Sequence, residues 1–340
     1  MKKHIRIRRW IIVLAITLIV TIYYRGTLGD ILFEIGNLPA SITIISLLFT
    51  TIFYIIEGKL IQFVASRHSK GFTWKQGTEV AYISSFYRFL TMGAAAGPAE
   101  VYYLHQEDIP LSRATGMCLV KYIIHKITVA VYGIISYLAL SKEMKSILRP
   151  YRFYISIGTL IMVLFTIILI AVCTSKKFSK LILWLVKKIP VKKAGLQRRL
   201  GDLGKSIILL QEESTVLLKD KKKILWIFIL NIGKQTCYYL IPAIFLYHRS
   251  KIRALNAITL MAICNMLAGV LPAPSGIGSL EFVFLQLFQT LTDADIAASV
   301  ILLYRFVTWM MPFAIGGIFI SFQKKRINRN TPGCKGILDN

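Results

Sequence analysis

Leu271-Pro-Ala-Pro-Ser-Gly-Ile-Gly-Ser-Leu-Glu-Phe-Val-Phe-Leu285 lies in a chain otherwise apolar enough to live in a lipid bilayer, and it cannot form one continuous helix. Two prolines, two glycines and two serines fall within the eight residues 272–279; proline removes a helical hydrogen bond and glycine loses the most backbone entropy on ordering. In hydrocarbon, broken backbone is tolerated only where it is buried in protein or lines a wet cavity, so the stretch predicts an intramembrane site. Ser279-Leu280-Glu281 then opens a half-helix. Its free N–H groups and positive dipole end, with the Gly276 and Gly278 amides, suit an anion such as a phosphate. Glu281 can cap that end when no anion is present.

The chain has 340 residues, 55% of them hydrophobic, and a mean hydropathy of +0.61. That composition predicts an all-α, polytopic transmembrane helical bundle and excludes a soluble core. Lys and Arg number 42 against 16 Asp and Glu, a balance that could suggest nucleic acid. A membrane protein gathers the same excess by the positive-inside bias, so the charge is read as orientation and contact with anionic lipid, with no nucleic-acid partner. Cys118, Cys173, Cys237 and Cys264 fall in or at the end of apolar segments and Cys334 lies in the tail. None shares metal-ligand or redox spacing with another, and no metal or cofactor is expected.

Taken in order, the chain reads as one integral membrane domain over 1–340 with about six full spans. The apolar run 10–24 follows a basic cluster and resembles a signal sequence, but no small-x-small cleavage site follows, so it is read as a retained first span. Further spans are expected at 38–56, 115–140, 153–172, 224–247 and 296–322. The first half, 10–173, carries an interrupted segment at 78–106, broken between Gly93 and Glu100, with Pro98 at the first helical position and Glu100 in the first turn. The second half, 224–322, carries the opening motif within 257–291. Both are read as re-entrant broken-helix hairpins, the first from the cytoplasmic side and the second from the outer face. Residues 57–77 are expected as an inner loop, and 174–223 as a basic cytoplasmic loop whose helices either lie in the interface or pack on the bundle. The tail 323–340 is basic. Both termini are thereby cytoplasmic, leaving Arg88, Lys121, Lys126, Lys234 and Arg305 at membrane depth.

The two interruptions look like copies of one unit. Gly97-Pro-Ala-Glu100-Val-Tyr-Tyr-Leu104 parallels Gly278-Ser-Leu-Glu281-Phe-Val-Phe-Leu285, and each Glu is followed in the next span by a cation, Lys121 or Arg305. With the topology above, one copy enters from each face, as in an inverted repeat. Buried ionisable residues need a partner or a cavity, which pairs Glu100 with Lys121 and Glu281 with Arg305. Such pairs serve registry as readily as chemistry. Lys121, His125 and Lys126 share helical spacing and could line a basic cavity for a phosphate head group, although a lone histidine is more often a packing residue. Arg88 and Lys234 are read as snorkelling or paired locally.

At these residues the chain resembles the membrane region of bacterial lysylphosphatidylglycerol synthases and its stand-alone relatives, the flippase-like integral membrane proteins. The resemblance rests on Leu271 to Glu281, then Arg305, then Gly316-Gly317, and on the earlier Gly97-Pro98-Ala99-Glu100 followed by Ile109-Pro110-Leu111-Ser112-Arg113-Ala114. Relatives commonly have a glycine pair where this chain has Pro274-Ser275, and a Glu-Arg pair where it has Lys121-Tyr122. The resemblance implies a protein of the bacterial cytoplasmic membrane that handles a lipid whose head group must cross the bilayer. Aminoacyl transfer in the synthases belongs to a large soluble domain, and 323–340 is too short to fold into one. The chain is therefore not expected to be an enzyme.

The leading expectation is a lipid flippase or lipid-head-group transporter. Its substrate-binding candidates are Glu100, Lys121, His125, Ser275, Gly276, Gly278, Ser279, Glu281 and Arg305. The expected partners are an anionic phospholipid or lipid-linked head group and the bilayer itself, with a homo-oligomer or an envelope enzyme as further possibilities. Three other readings stand beside it. A membrane-embedded lipid transferase would need a nucleophile or metal constellation that the sequence lacks. A coupled small-solute transporter would use the Glu residues as proton carriers, and a scaffold for an envelope enzyme would transport nothing.

Overall fold

The computed structural model describes residues 39–188, 194–250, 252–271 and 278–330. The expected span 10–24, the basic residues before it, Ser275, Gly276 and the end of the tail lie outside the described residues. Within them the chain is helical and contains no strand. The helices are α1 (Ala40–Ala65), α2 (Trp74–Leu90), α3 (Ala96–Gln106), α4 (Leu111–Ala139), α5 (Lys142–Ile147) and α6 (Arg152–Thr174). They continue as α7 (Lys176–Lys188), α8 (Ala194–Leu218), α9 (Lys221–Ser250), α10 (Ala254–Ala268), α11 (Ser279–Phe288), α12 (Ala294–Arg305) and α13 (Met311–Asn330). A π-helical turn, Phe306–Met310, joins α12 and α13 into one rod.

Among the described residues, five helices are long and apolar enough to cross a membrane: Ala40–Ala65, Leu111–Ala139, Arg149–Thr174, Lys221–His248 and Ala294–Phe322. They match five of the spans read from sequence. On α6, Phe153, Tyr154, Leu160, Leu164 and Ile167 are more than half exposed. An apolar exterior of that extent is a liability in water and the matching surface in lipid. The four limbs of the two hairpins have 17, 11, 15 and 10 residues, each below the ~20 that a crossing requires.

Three expectations change. The helix expected to end at Ile56 runs on to Ala65, so Glu57 lies inside a helix and only the middle of the expected loop survives as a connection, Ser66 to Thr73. Glycines permit the continuation: a Cβ on Gly77 would meet the Gly58 carbonyl oxygen at 2.2 Å, and one on Gly58 the Thr78 amide at 2.4 Å, so α1 and α2 cross backbone to backbone. The break of the first hairpin falls earlier than expected, over Thr91 to Ala95. α2 ends in a Schellman motif, with Gly93 N–H donating to Arg88 O at 2.7 Å and Met92 N–H to Phe89 O, and both Met92 (φ +48) and Gly93 (φ +92) are left-handed. α3 then begins at Ala96, which makes Pro98 its third residue and Glu100 its fifth. Pro98 still removes no bond, because first-turn amides have no helical acceptor.

In the basic region 174–223, α8 packs on the bundle. Leu210, Glu213, Ser214 and Leu217 are buried, and a Cβ on Gly116 of α4 would meet the Leu209 carbonyl oxygen of α8 at 2.9 Å. Glu213 accepts from Arg113 Nη1 and faces His68 Nε2, both at 3.1 Å. α7 instead leaves Lys180, Leu181 and Trp184 exposed.

The structure carries the duplication. α1 to α4 form one unit and α9 to α13 the other. Within each, the first helix packs on the second, the second on the third, the third on the long fourth, and the first on the fourth. Across them, α2 packs on α13 as α10 packs on α4, and α1 packs on α9. Phe53 stacks on Tyr238 with centroids 3.6 Å apart, and Glu57 meets Lys234 one turn on, so α1 and α9 run antiparallel. These two contacts are images of each other: the chain separation that relates Gly97 to Gly278 and Glu100 to Glu281 also relates Phe53 to Lys234 and Glu57 to Tyr238. Gly133 of α4, against Met266 of α10, is mirrored by Gly316 of α13 against Tyr82 and Phe86 of α2.

Candidate functional site

Charged groups collect where the breaks meet the long helices. In the first half, Lys121 projects from α4 and its Nζ lies 2.7 Å from Glu100 Oε1 of α3 and 2.6 Å from Glu57 Oε1 of α1. Glu57 Oε2 takes a second lysine, Lys234 of α9, at 2.7 Å. Side-chain exposure runs from 3% for Lys234 to 15% for Glu57, so four ionised groups from four helices are held out of solvent. Charges so placed are tolerable only together, since each alone would cost several kcal/mol. Lys234 Nζ also lies 5.4 Å from the centre of the Phe53 ring.

In the second half, Gly278 has φ +82, a left-handed conformation that favours glycine, and turns the chain into α11. Glu281, the third residue of α11, accepts from Gly278 N–H at 2.8 Å and caps the helix. The same carboxylate accepts from Arg305 in two-point fashion, Nε to Oε1 at 2.5 Å and Nη2 to Oε2 at 2.9 Å, the fork geometry that strengthens such pairs. Ser279 is buried at the first position of α11, with its Oγ unpartnered among the described residues.

Trp309, in the π-helical turn, connects the halves. The Arg305 guanidinium carbon lies 5.0 Å from its ring centre and that of Arg88, from the last turn of α2, lies 5.8 Å away. Arg88 in turn donates to Tyr54 Oη at 2.8 Å and Ser85 Oγ at 3.2 Å.

Of the residues singled out from sequence, Glu100 pairs with Lys121, and Gly278, Ser279, Glu281 and Arg305 gather at the start of α11. His125 lies one turn beyond Lys121 on α4, its Nδ1 3.0 Å from Gln235 Nε2 of α9. Ser275 and Gly276 lie outside the described residues. The sequence reading missed Glu57, taken as the first residue of a loop, and gave Lys234 and Arg88 no part in the site. A carboxylate directly after an apolar run normally ends a span; only the lysines of α4 and α9 show why this one does not.

The sequence model of the family described as lysylphosphatidylglycerol synthase TM region matches residues 10–316, which includes both units as far as Gly316. No curated protein matches the chain.

Proposed function

The chain belongs to the lysylphosphatidylglycerol synthase TM region family, and on that premise we propose that it moves a phospholipid or lipid-linked head group between the leaflets of the bacterial cytoplasmic membrane. The observation that carries this reading is the seat of the Glu281 carboxylate, which rests on the Gly278 amide at the start of α11 and on the Arg305 fork. That seat already has the chemistry of an anion receptor, and the buried Ser279 Oγ, at the first position of the same helix and without a partner among the described residues, adds a donor. A lipid phosphate replaces Glu281 on Arg305 while the apolar outer faces of the long helices guide the acyl chains. Charge neutralisation in a polar cleft lowers the penalty of carrying a head group through hydrocarbon. The two hairpins act as re-entrant elements entering from opposite faces, and exchange between the two units opens the cleft to each face in turn. Both termini lie in the cytoplasm, and the chain itself performs no aminoacyl transfer.

Purified protein in liposomes with fluorescent anionic, zwitterionic and aminoacylated lipids tests this. Acceleration of inter-leaflet movement that Arg305→Ala abolishes supports it; no acceleration for any of the lipids removes it. A second reading, a proton-coupled small-solute transporter, draws on the carboxylates Glu57 and Glu100 sharing Lys121. Uptake driven by a proton gradient and indifferent to lipid composition would favour that one.

A further inference from the structure

Around the two breaks the described helices place five cations, Arg88, Lys121, Lys126, Lys234 and Arg305, among three carboxylates, Glu57, Glu100 and Glu281. The ion pairs consume Lys121, Lys234 and Arg305. Among the described residues, Arg88 and Lys126 remain, each half-buried and with no carboxylate within ion-pair distance. A cation at membrane depth without an anionic partner is costly and marks a ligand path or a site.

Their surroundings match. Arg88 sits in the last turn of α2, before the Met92-Gly93 break, held by Tyr54 and Ser85 and facing Trp309 from the other unit. Lys126 sits on α4 with its Nζ 5.5 Å from the Tyr122 ring centre. A Cβ on Gly269, the residue that ends α10 before the other break, would lie 3.9 Å from the same nitrogen. The chain separation that relates Gly133 to Gly316 also relates Lys126 to Trp309 and Tyr122 to Arg305. Trp309 at the first break, and Lys126 with Tyr122 at the second, therefore come from the long helix of the opposite unit.

We propose that Arg88 with Trp309, at the first break, and Lys126 with Tyr122, at the second, are receptors for a phosphate group, and that the ligand is the phosphodiester of a membrane lipid. The proposal rests on the lipid-translocation reading for its choice of ligand and adds to it two seats outside the Glu281–Arg305 pair. Each receptor supplies the positive charge that the ion pairs leave over, so one singly charged phosphodiester balances each. The guanidinium can offer two parallel donors and the ammonium a point charge, which makes the Arg88 seat the more selective for phosphate geometry. Handing one phosphate from one seat to the other moves it between the two breaks without leaving it unpaired in hydrocarbon.

The test measures binding to the purified full chain by titration calorimetry with three probes: dioctanoyl phosphatidylglycerol, dioctanoylglycerol and inorganic phosphate. The phosphatidylglycerol should bind at both seats, in addition to the Arg305 seat, and dioctanoylglycerol, lacking the phosphate, at none. Arg88→Gln and Lys126→Gln should each remove one site or weaken it about tenfold, as expected for the loss of a charge-assisted contact. Arg88→Lys should keep binding, weaker than wild type, and it serves in place of Arg88→Gln should the Tyr54 and Ser85 contacts prove needed for folding. Unchanged stoichiometry and affinity in both Gln variants would overturn the proposal even with lipid translocation intact. Loss of sites in the variants of a protein that moves no lipid would keep the receptors and remove only the transport reading. Binding of inorganic phosphate with none of the lipid would overturn the lipid assignment.

Discussion

Glu57 Oε2 lies 2.7 Å from Lys234 Nζ on the face where α1 and α9 cross antiparallel, one turn from the Phe53–Tyr238 stack. The contact joins the two units at their shared boundary, and the same carboxylate holds Lys121.

Replacing Glu57 should therefore be more damaging than its place near the end of an apolar run suggests. Glu57→Gln strands Lys234 without an acidic partner and leaves Lys121 with Glu100 alone, a loss of roughly 3–5 kcal/mol. Thermal unfolding in detergent measures it. The double variant Glu57→Leu with Lys234→Met should recover most of the loss, because both charges leave together; a single variant with unchanged stability would mean that the cluster is solvated.

The repeat-related glycines should differ in tolerance. A Cβ at Gly316 meets the Tyr82 carbonyl oxygen, whereas one at Gly133 meets side-chain atoms of Met266, the nearest its Cβ at 2.7 Å. Gly316→Ala should cost about 1–3 kcal/mol through displacement of backbone, and Gly133→Ala less. Equal losses on heating would contradict the difference in what each methyl meets.

Met92 occupies the left-handed position that closes α2, where a side chain costs about 1–2 kcal/mol that glycine avoids. Met92→Gly should raise the unfolding temperature. A fall would show that the Met92 side chain contributes more by contact than its backbone loses by strain.

At the second break, Arg305→Lys keeps the charge and gives up the two-point grip on Glu281. Lipid movement in liposomes should fall about tenfold, the worth of one charge-assisted hydrogen bond at the step that uses it. Wild-type rates in this variant would show that only the charge is needed.

Much of the architecture was legible because bilayer physics restricts the alternatives. Uninterrupted apolar runs gave five helices, and prolines and glycines inside such runs marked the hairpins. The pairs Glu100–Lys121 and Glu281–Arg305 followed from the cost of leaving charge unpaired. Glu57 was not legible, since its burial depends on lysines that the fold brings from α4 and α9. The end of α2 was misplaced because Pro98 looks like a helix start, while the Schellman turn is built on Met92, a residue with no preference for that role. The π-helical turn that aims Trp309 leaves no mark in the sequence, so the meeting of Arg88 and Arg305 on one ring emerges only in three dimensions.

The crosswise docking of the units also sets an order of assembly. α2 rests on α13, the last described helix, and α10 on α4, so each unit leaves part of its broken segment for the other to cover. While the ribosome is still making the second half, the Tyr82–Phe86 surface that receives Gly316 stands open to lipid or to the insertion machinery. The first hairpin is thus threaded early and finished last, and truncation before Gly316 would leave the oldest part of the protein incomplete as well as the newest.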